Sequence, residues 1–171
     1  MKFNFQAFSA IYLHEMDRFK RTLMQSLFSP VLSTSLYFIV FGSVIGGYVE
    51  NIDGISYGSY IVPGLLMLTL LTQSISNTSF GIFFPKFNGT IYEILAAPIS
   101  TFEIVLAFVG AGATKTLIVG IVIFVTSTFF VEVKVMYPLL MVFLLILVAF
   151  TFALFGFLIG LMSSNFEQMS I

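Results

Sequence analysis

The side chains that usually perform catalysis or bind metals are few and scattered in this chain. The 171 residues include one histidine, no cysteine and eight Asp or Glu residues. Without cysteine there is no disulfide, thiol nucleophile or thiol metal site, and the single imidazole, His14, cannot form a metal cluster. We therefore predict that the chain is not an enzyme and holds no catalytic residue, metal or cofactor. The net charge of −1 argues against nucleic acid as a partner.

One row of hydrogen-bonding side chains lies within an otherwise apolar stretch. Its members recur at helical spacing on one face, at Thr69, Gln73, Ser76 and Asn77. Polar groups are costly in hydrocarbon unless they meet a partner or an aqueous space. This face is therefore predicted either to border a substrate pathway or to form hydrogen bonds between helices.

A short segment between two apolar runs carries the most specific local signals. Thr90, followed three residues later by Glu93, fits a capping box at a helix start. Gly89 allows a turn before it, and Pro98 excludes the helical conformation from the residue that precedes it. These signals predict a helix of about two turns over Ile91–Ala96. Such a helix is either a docking surface for a soluble partner or an interfacial helix resting on lipid.

A single charge, Lys115, interrupts a third apolar stretch. The sixteen residues that separate it from the next loop form about 24 Å of helix. Lys115 then lies near the edge of the hydrocarbon, where we expect it to extend to the headgroups rather than form a buried ion site. Residues 110–116 superficially resemble a phosphate loop but lack the glycine directly before lysine. Close packing of small residues is the better interpretation, as for the pairs Gly42/Gly46 and Gly156/Gly160.

The composition predicts a membrane protein. Hydrophobic residues make up 58% of the chain and charged residues only 9%, whereas about 25% of a soluble domain is charged. Four apolar runs, at about 31–49, 60–84, 105–131 and 139–162, reach the roughly 20 residues that cross a bilayer as a helix. Lipid leaves open backbone groups without partners. We therefore predict an all-α polytopic membrane protein with one membrane domain over residues 1–171.

Residues 1–29, before the first run, have the pattern of an amphipathic helix. Apolar residues recur every three or four positions, at Phe5, Phe8, Tyr12, Met16, Phe19 and Leu23. Glu15 and Arg18 lie on the other faces. The helix is expected to lie in the membrane interface, with packing on a partner as the alternative. Ser29-Pro30 is predicted to end it.

The distribution of Lys and Arg predicts the orientation. With the N-terminus inside the cell, only Lys134 falls outside. The other basic residues then lie on the cytoplasmic side: Lys2, Arg18, Lys20, Arg21, Lys86 and Lys115. The same orientation places the short helix near residues 90–98 in the cytoplasm.

This short segment also resembles the first coupling helix of the type 2 ATP-binding-cassette exporter permeases. A glycine-threonine-apolar-acid pattern that ends in proline recurs there between the second and third spans. The matching residues here are Gly89, Thr90, Ile91, Tyr92, Glu93, Ile94, Leu95 and Pro98. The resemblance covers essentially the whole chain, including residues 36–42 and 60–65. Within the family, the chain resembles a branch of bacterial inner-membrane permeases. That family usually has six spans and this chain has four, so we expect that it breaks off after the fourth.

The resemblance implies a multi-pass permease subunit of the inner membrane that works in an ATP-driven exporter. It implies a second copy of this chain and a separate ATP-binding-cassette ATPase as partners, with ATP and magnesium bound by the ATPase. The family's acid usually follows the apolar residue directly, which is the position of Tyr92. We therefore expect Tyr92 to face the partner while Glu93 serves the cap. A passive channel or helical scaffold without an ATPase is the alternative function.

Overall fold

The computed structural model describes residues 3–45, 51–52, 55–133 and 135–169. Helices dominate these ranges, namely α1 Phe5–Arg21, α2 Leu23–Tyr37, α3 Tyr57–Phe87, α4 Ile91–Ala96, α5 Thr101–Ser127 and α6 Pro138–Met162. A π-helical segment, Phe38–Ile45, continues α2, and a 3-10 turn covers Phe166–Met169. Two strands of two residues each, Asn51–Ile52 and Ile55–Ser56, pair antiparallel before α3.

Four of the described helical stretches are long and apolar enough to cross a membrane. They are Leu23–Phe41, α3, α5 and α6. The prediction of an all-α polytopic membrane protein is confirmed. The end of the first predicted run (46–49), including Gly46, and the two basic residues Lys2 and Lys134 lie outside the described residues.

The first helix ends earlier than predicted, and the chain continues as helix through Pro30. The break falls at Thr22, whose φ of −105° and ψ of 13° leave the helical geometry. Pro30 lies inside α2 and is buried, so the prediction that Ser29-Pro30 ends the helix is wrong. Proline costs one backbone hydrogen bond, but a longer unwound segment would leave several groups without partners in lipid. The bilayer therefore favours the helix over the local preference.

The helices α3, α5 and α6 form the centre of the bundle and alternate in direction. At one end, the Ser59 hydroxyl donates to the Glu132 carbonyl (2.9 Å), which joins the start of α3 to the segment after α5. At the other end, the Lys86 ammonium donates to the carbonyls of Leu161 (2.6 Å) and Ser163 (2.8 Å). Lysine at this position satisfies carbonyls that the last turn of α6 leaves free.

Glycines allow α6 to approach α3 closely. A Cβ atom at Gly156 would lie 2.5 Å from the carbonyl oxygen of Ile75, and one at Gly160 would lie 2.5 Å from that of Ser79. Since the blocking atoms belong to the backbone, they cannot move aside as a side chain would. The predicted small-residue packing of Gly156 and Gly160 is confirmed.

The amphipathic helix α1 packs along α5 of its own chain. Asn4 lies beside Glu103, Tyr12 beside Thr114, and Glu15 beside Lys115. In these pairs the residue number rises on both helices from one pair to the next, so α1 and α5 run in the same direction. Most of the predicted apolar stripe faces inward: Phe19 is buried in a core cluster, with Met16 and Leu23 packed against that cluster.

Candidate functional site

The loop between α3 and α5 is built by local signals that the chain supplies within a few residues. Gly89 has a φ of 79°, a left-handed conformation that a side chain would disfavour. The turn directs the chain into α4, which covers Ile91–Ala96 as predicted. Ala97 follows in an extended conformation, with φ of −73° and ψ of 152°, as the residue before Pro98 prefers.

The two faces of α4 have different surroundings. Ile91 and Ile94 are half-buried and pack against a core cluster that includes Ile104 and Phe108 of α5. Tyr92 is 73% exposed and Leu95 is 60% exposed. The helix therefore holds the bundle with one face and presents an aromatic ring and a leucine with the other. Glu93 and Pro98 are exposed as well.

The predicted capping box of α4 does not form. Thr90 adopts a helical φ of −62° and ψ of −19°, and its hydroxyl caps no amide among the described residues. A capping side chain normally needs an extended backbone at this position, so the prediction for Thr90 and Glu93 is wrong. The backbone carbonyl of Thr90 instead accepts from the amides of Glu93 (3.1 Å) and Ile94 (3.4 Å).

A capping box forms ten residues later, at the start of α5. The Ser100 hydroxyl accepts from the Glu103 amide (3.3 Å), and Glu103 Oε2 accepts from the Ser100 amide (2.8 Å). Glu103 Oε1 also accepts from the Asn4 amide (2.6 Å), while the Asn4 side chain donates to the Pro98 carbonyl (3.3 Å). These bonds tie the beginning of α1 to the junction of α4 and α5. The Ser-x-x-Glu spacing was the sequence signal that could have identified this cap.

A buried cluster of three charges joins α1 to α5. Glu15 Oε2 accepts from Lys115 Nζ at 2.7 Å and pairs with Arg18 Nη2 at 2.9 Å. The side chains of Glu15 and Lys115 are each 3% exposed, whereas that of Arg18 is 27% exposed. The prediction that Lys115 extends to the headgroups is therefore wrong, as is the placing of Glu15 on a polar face. A direct partner replaces the hydration that the ammonium would otherwise seek at the membrane surface.

The exposed pair on the same helix differs from this cluster. Lys20 Nζ lies 2.9 Å from Asp17 Oδ1, and both side chains are more than half exposed. The hydrogen bond and the positive charge of Lys20 lower the pKa of the Asp17 carboxyl. Solvent screens such a pair, so it contributes little to stability.

The four residues predicted on the polar face of α3 lie together but are not the most buried polar groups of that helix. Gln73 Oε1 accepts from Asn77 Nδ2 (3.4 Å), Thr69 donates to the Leu65 carbonyl (2.8 Å), and Ser76 is exposed. The role of joining helices falls to Ser74, which is fully buried and donates to the Ala149 carbonyl of α6 at 2.6 Å.

A cavity of about 550 Å³ lies where the α1–α2 junction meets this face of α3. Its polar lining includes Arg18, Gln25, Ser26, Ser76, Asn77 and Lys115. Among the described residues that line it, two carry positive charge and none carries negative charge. Elsewhere in the described ranges, no group of three or more His, Asp or Glu side chains could hold a metal ion.

Comparison with known proteins identifies the class. The family described as "ABC-2 type transporter" matches residues 6–171, and the chain belongs to this family. It is 37% identical over 165 residues to the inner membrane transport permease YadH of Escherichia coli strain K12, and to that of Shigella flexneri. The match covers 96% of this chain but 64% of each relative, so the chain spans just under two thirds of the length of these curated relatives. No solved structure matches significantly. The resemblance to the type 2 permeases is confirmed.

Proposed function

We propose that this chain is a membrane-spanning permease subunit of an ATP-driven exporter and that α4 is its docking element for a separate ATP-binding-cassette ATPase. The observation that carries the proposal is the two-sided character of α4. Tyr92 and Leu95 are exposed on a helix whose other side, Ile91 and Ile94, packs into the core. Membership of the ABC-2 type transporter family and the name of the YadH relatives support a transport role.

The contacts of α4 support transmission of movement from a bound ATPase to the helix bundle. Pressure on Tyr92 and Leu95 would reach Ile104 and Phe108 through the contacts of Ile91 and Ile94. The extended Ala97 and the capped start of α5 would limit how far the two helices can move apart. In this proposal ATP and magnesium bind to the ATPase, and this chain holds no cofactor.

The proposed location is the bacterial inner membrane, with α4 and the N-terminus in the cytoplasm. The YadH relatives are named as inner-membrane permeases, and four helices of this chain are long enough to span. Lys86 lies at the α4 end of the bundle, and lysine and arginine favour the cytoplasmic side. We also propose, from the resemblance to type 2 permeases, that two copies of the chain assemble with two ATPases.

Co-purification tests the docking role of α4. We expect Leu95→Asp, which introduces a charge on the exposed face, to weaken the association with an ATPase at least tenfold, as loss of one central apolar contact does in other interfaces. Glu93→Lys should weaken it as well, by reversing a charge on the same helix. The measurement is the amount of ATPase that remains bound to the tagged permease in detergent.

The matched control places the same new charge at the other end of the bundle. Leu139 is 87% exposed in the first turn of α6, and an acid is favourable near a helix start. Leu139→Asp should leave the ATPase bound. If Leu95→Asp and Glu93→Lys retain as much ATPase as Leu139→Asp does, α4 is not the docking element. A folded chain that captures no ATPase in any form would support the passive channel or scaffold instead.

The substrate pathway is proposed along Thr69, Gln73, Ser76 and Asn77. Support comes from their partial exposure, since the fully buried Ser74 already joins α3 to α6. Gln73→Leu and Asn77→Leu should reduce export while leaving ATPase association unchanged. Unaltered export by both variants would remove these residues from the pathway.

A further inference from the structure

Among the residues that the structure describes, those at the cavity of the α1–α2 junction carry an excess of positive charge. Arg18 and Lys115 both line it, and both are paired with the same oxygen of Glu15. One carboxylate therefore balances two cations, which leaves one positive charge between Lys115, whose side chain is 3% exposed, and Arg18, whose side chain is 27% exposed. Such a charge is unfavourable in a membrane protein unless an anion or water compensates it.

The two cations retain hydrogen-bond donors for a ligand. A guanidinium carries five N–H donors and an ammonium carries three. The ion pair with Glu15 involves one terminal nitrogen of Arg18 and one bond of Lys115. The side chains of Asn77, Ser76 and Gln25 also line the cavity and can donate from amide or hydroxyl groups. A tetrahedral oxyanion accepts several such bonds at once, and arginine is especially suited to phosphate.

The size and surroundings of the cavity also fit a ligand. Its volume of about 550 Å³ is within the range of about 300–1,000 Å³ that is usual for small-molecule sites. Phe19, Phe80 and Phe166 supply apolar lining beside the polar groups. Phe80 also fixes the cation, since its ring centroid lies 5.4 Å from Arg18 Cζ.

From these observations we infer that the cavity between the α1–α2 junction and α3 binds a phosphate-bearing anion, with Arg18 as its principal contact. The phosphate belongs either to a lipid headgroup or to a free ion. This inference does not depend on the docking of an ATPase to α4. Ser76 and Asn77 belong both to the cavity and to the proposed pathway, whereas Arg18 belongs to the cavity alone.

The test compares defined ligands on the whole 171-residue chain purified in detergent. Native mass spectrometry measures binding of dioleoyl phosphatidate and of dioleoylglycerol, which has the same acyl chains without phosphate. Equilibrium dialysis measures binding of labelled inorganic phosphate. We expect phosphatidate to bind at least about tenfold more tightly than dioleoylglycerol, as a charge-assisted hydrogen bond implies. Binding of inorganic phosphate would identify the free ion as a sufficient ligand, and its absence would assign the site to a lipid headgroup.

Substitutions then locate the site. Arg18→Gln should reduce phosphate-dependent binding about tenfold or more. Lys20→Gln removes a positive charge from the same helix, where Lys20 is exposed, and should leave binding unchanged. Asn77→Leu keeps the charges of Glu15, Arg18 and Lys115 and should also weaken binding. It provides a second variant if Arg18→Gln does not fold.

Two results would overturn the inference. One is equal binding of phosphatidate and dioleoylglycerol together with no binding of inorganic phosphate, which would mean that water fills the cavity. The other is an equal loss in Arg18→Gln and Lys20→Gln, which would indicate a general effect of charge. Because the assay contains no ATPase, neither result bears on the docking proposal.

Discussion

At the scale of single residues, the carboxylate of Glu15 is shared by Arg18 and Lys115, so the members of the buried cluster differ in how much stability is lost when each is removed. Removing Lys115 leaves Glu15 paired with Arg18, whereas removing Glu15 leaves Lys115 as an uncompensated charge that is 3% exposed. The cost of a buried ion pair appears mainly when one charge loses its partner.

We therefore predict that Glu15→Leu destabilises the protein more than Lys115→Met does. Glu15→Leu should lower the free energy of unfolding by about 3–5 kcal/mol, the usual cost of leaving a buried charge unpaired. The double variant, Glu15→Leu with Lys115→Met, should recover part of this loss. Denaturant titration in detergent micelles measures all three. Asp17→Asn, in the exposed pair with Lys20, is the control and should cause no resolvable change.

The two Thr/Ser-x-x-Glu motifs allow a matched comparison at residue level. Ser100 accepts from the Glu103 amide, whereas Thr90 caps no amide in the described part of the chain. Ser100→Ala should therefore lower the free energy of unfolding by about 1 kcal/mol, as loss of an N-cap usually does. Thr90→Ala should leave it nearly unchanged in the same titration. Equal effects of the two substitutions would contradict the assignment of the caps.

At the scale of the elements, the contact of α6 with α3 depends on the absence of two side chains. Gly160→Ala would place a Cβ atom 2.5 Å from the Ser79 carbonyl oxygen, and the two helices would have to separate. Overpacking of this kind costs about 1–3 kcal/mol, which denaturant titration can resolve. At Gly64 no described atom lies within 4 Å of the position that a Cβ atom would take, so Gly64→Ala is the control. Its expected effect is neutral or slightly stabilising.

The elements that could be predicted are those determined by neighbouring residues. Gly89 and Pro98 bound α4 at both ends, and both effects act within one or two residues. Pro30 shows where prediction from neighbouring residues fails, because its local preference to end the helix is opposed by the lipid environment. The two possible capping boxes fit the sequence equally well, and only the backbone conformation at Thr90 distinguishes them.

The candidate site could be predicted only in part, because sequence spacing gives information about one segment but not about contacts between distant segments. The row on α3 and the helix α4 each follow from spacing along one segment. The pairing of Glu15 with Lys115 joins residues 100 positions apart, and periodicity within α1 gives no information about it. Gly81 gives a weak sequence signal for this pairing, because a Cβ atom at that position would lie only 3.4 Å from Glu15 Oε2. A glycine in a span indicates close approach but does not identify the approaching group.

At the scale of the whole molecule, the two ends of the bundle should face opposite sides of the membrane. The chain has no cysteine, so single cysteines can report the exposure of each end. Ser56 lies at the start of α3, and Asn88 follows its end; both are exposed. In intact cells, Ser56→Cys should react with a membrane-impermeant thiol reagent, and Asn88→Cys should react only after lysis. Labelling of Asn88→Cys from outside would contradict the cytoplasmic position of α4.

The distance in sequence between Glu15 and Lys115 also has a consequence for biosynthesis. The ribosome makes Glu15 100 residues before Lys115, so until α5 has been synthesised the Glu15 carboxylate can pair only with Arg18 of its own helix. We therefore expect α1 to reach its docked position only after α5 has entered the membrane, because α5 carries the residue that completes the buried cluster. On this expectation α1 is made before α5 but docks after it, and its docking would report that the helix carrying Lys115 has been inserted.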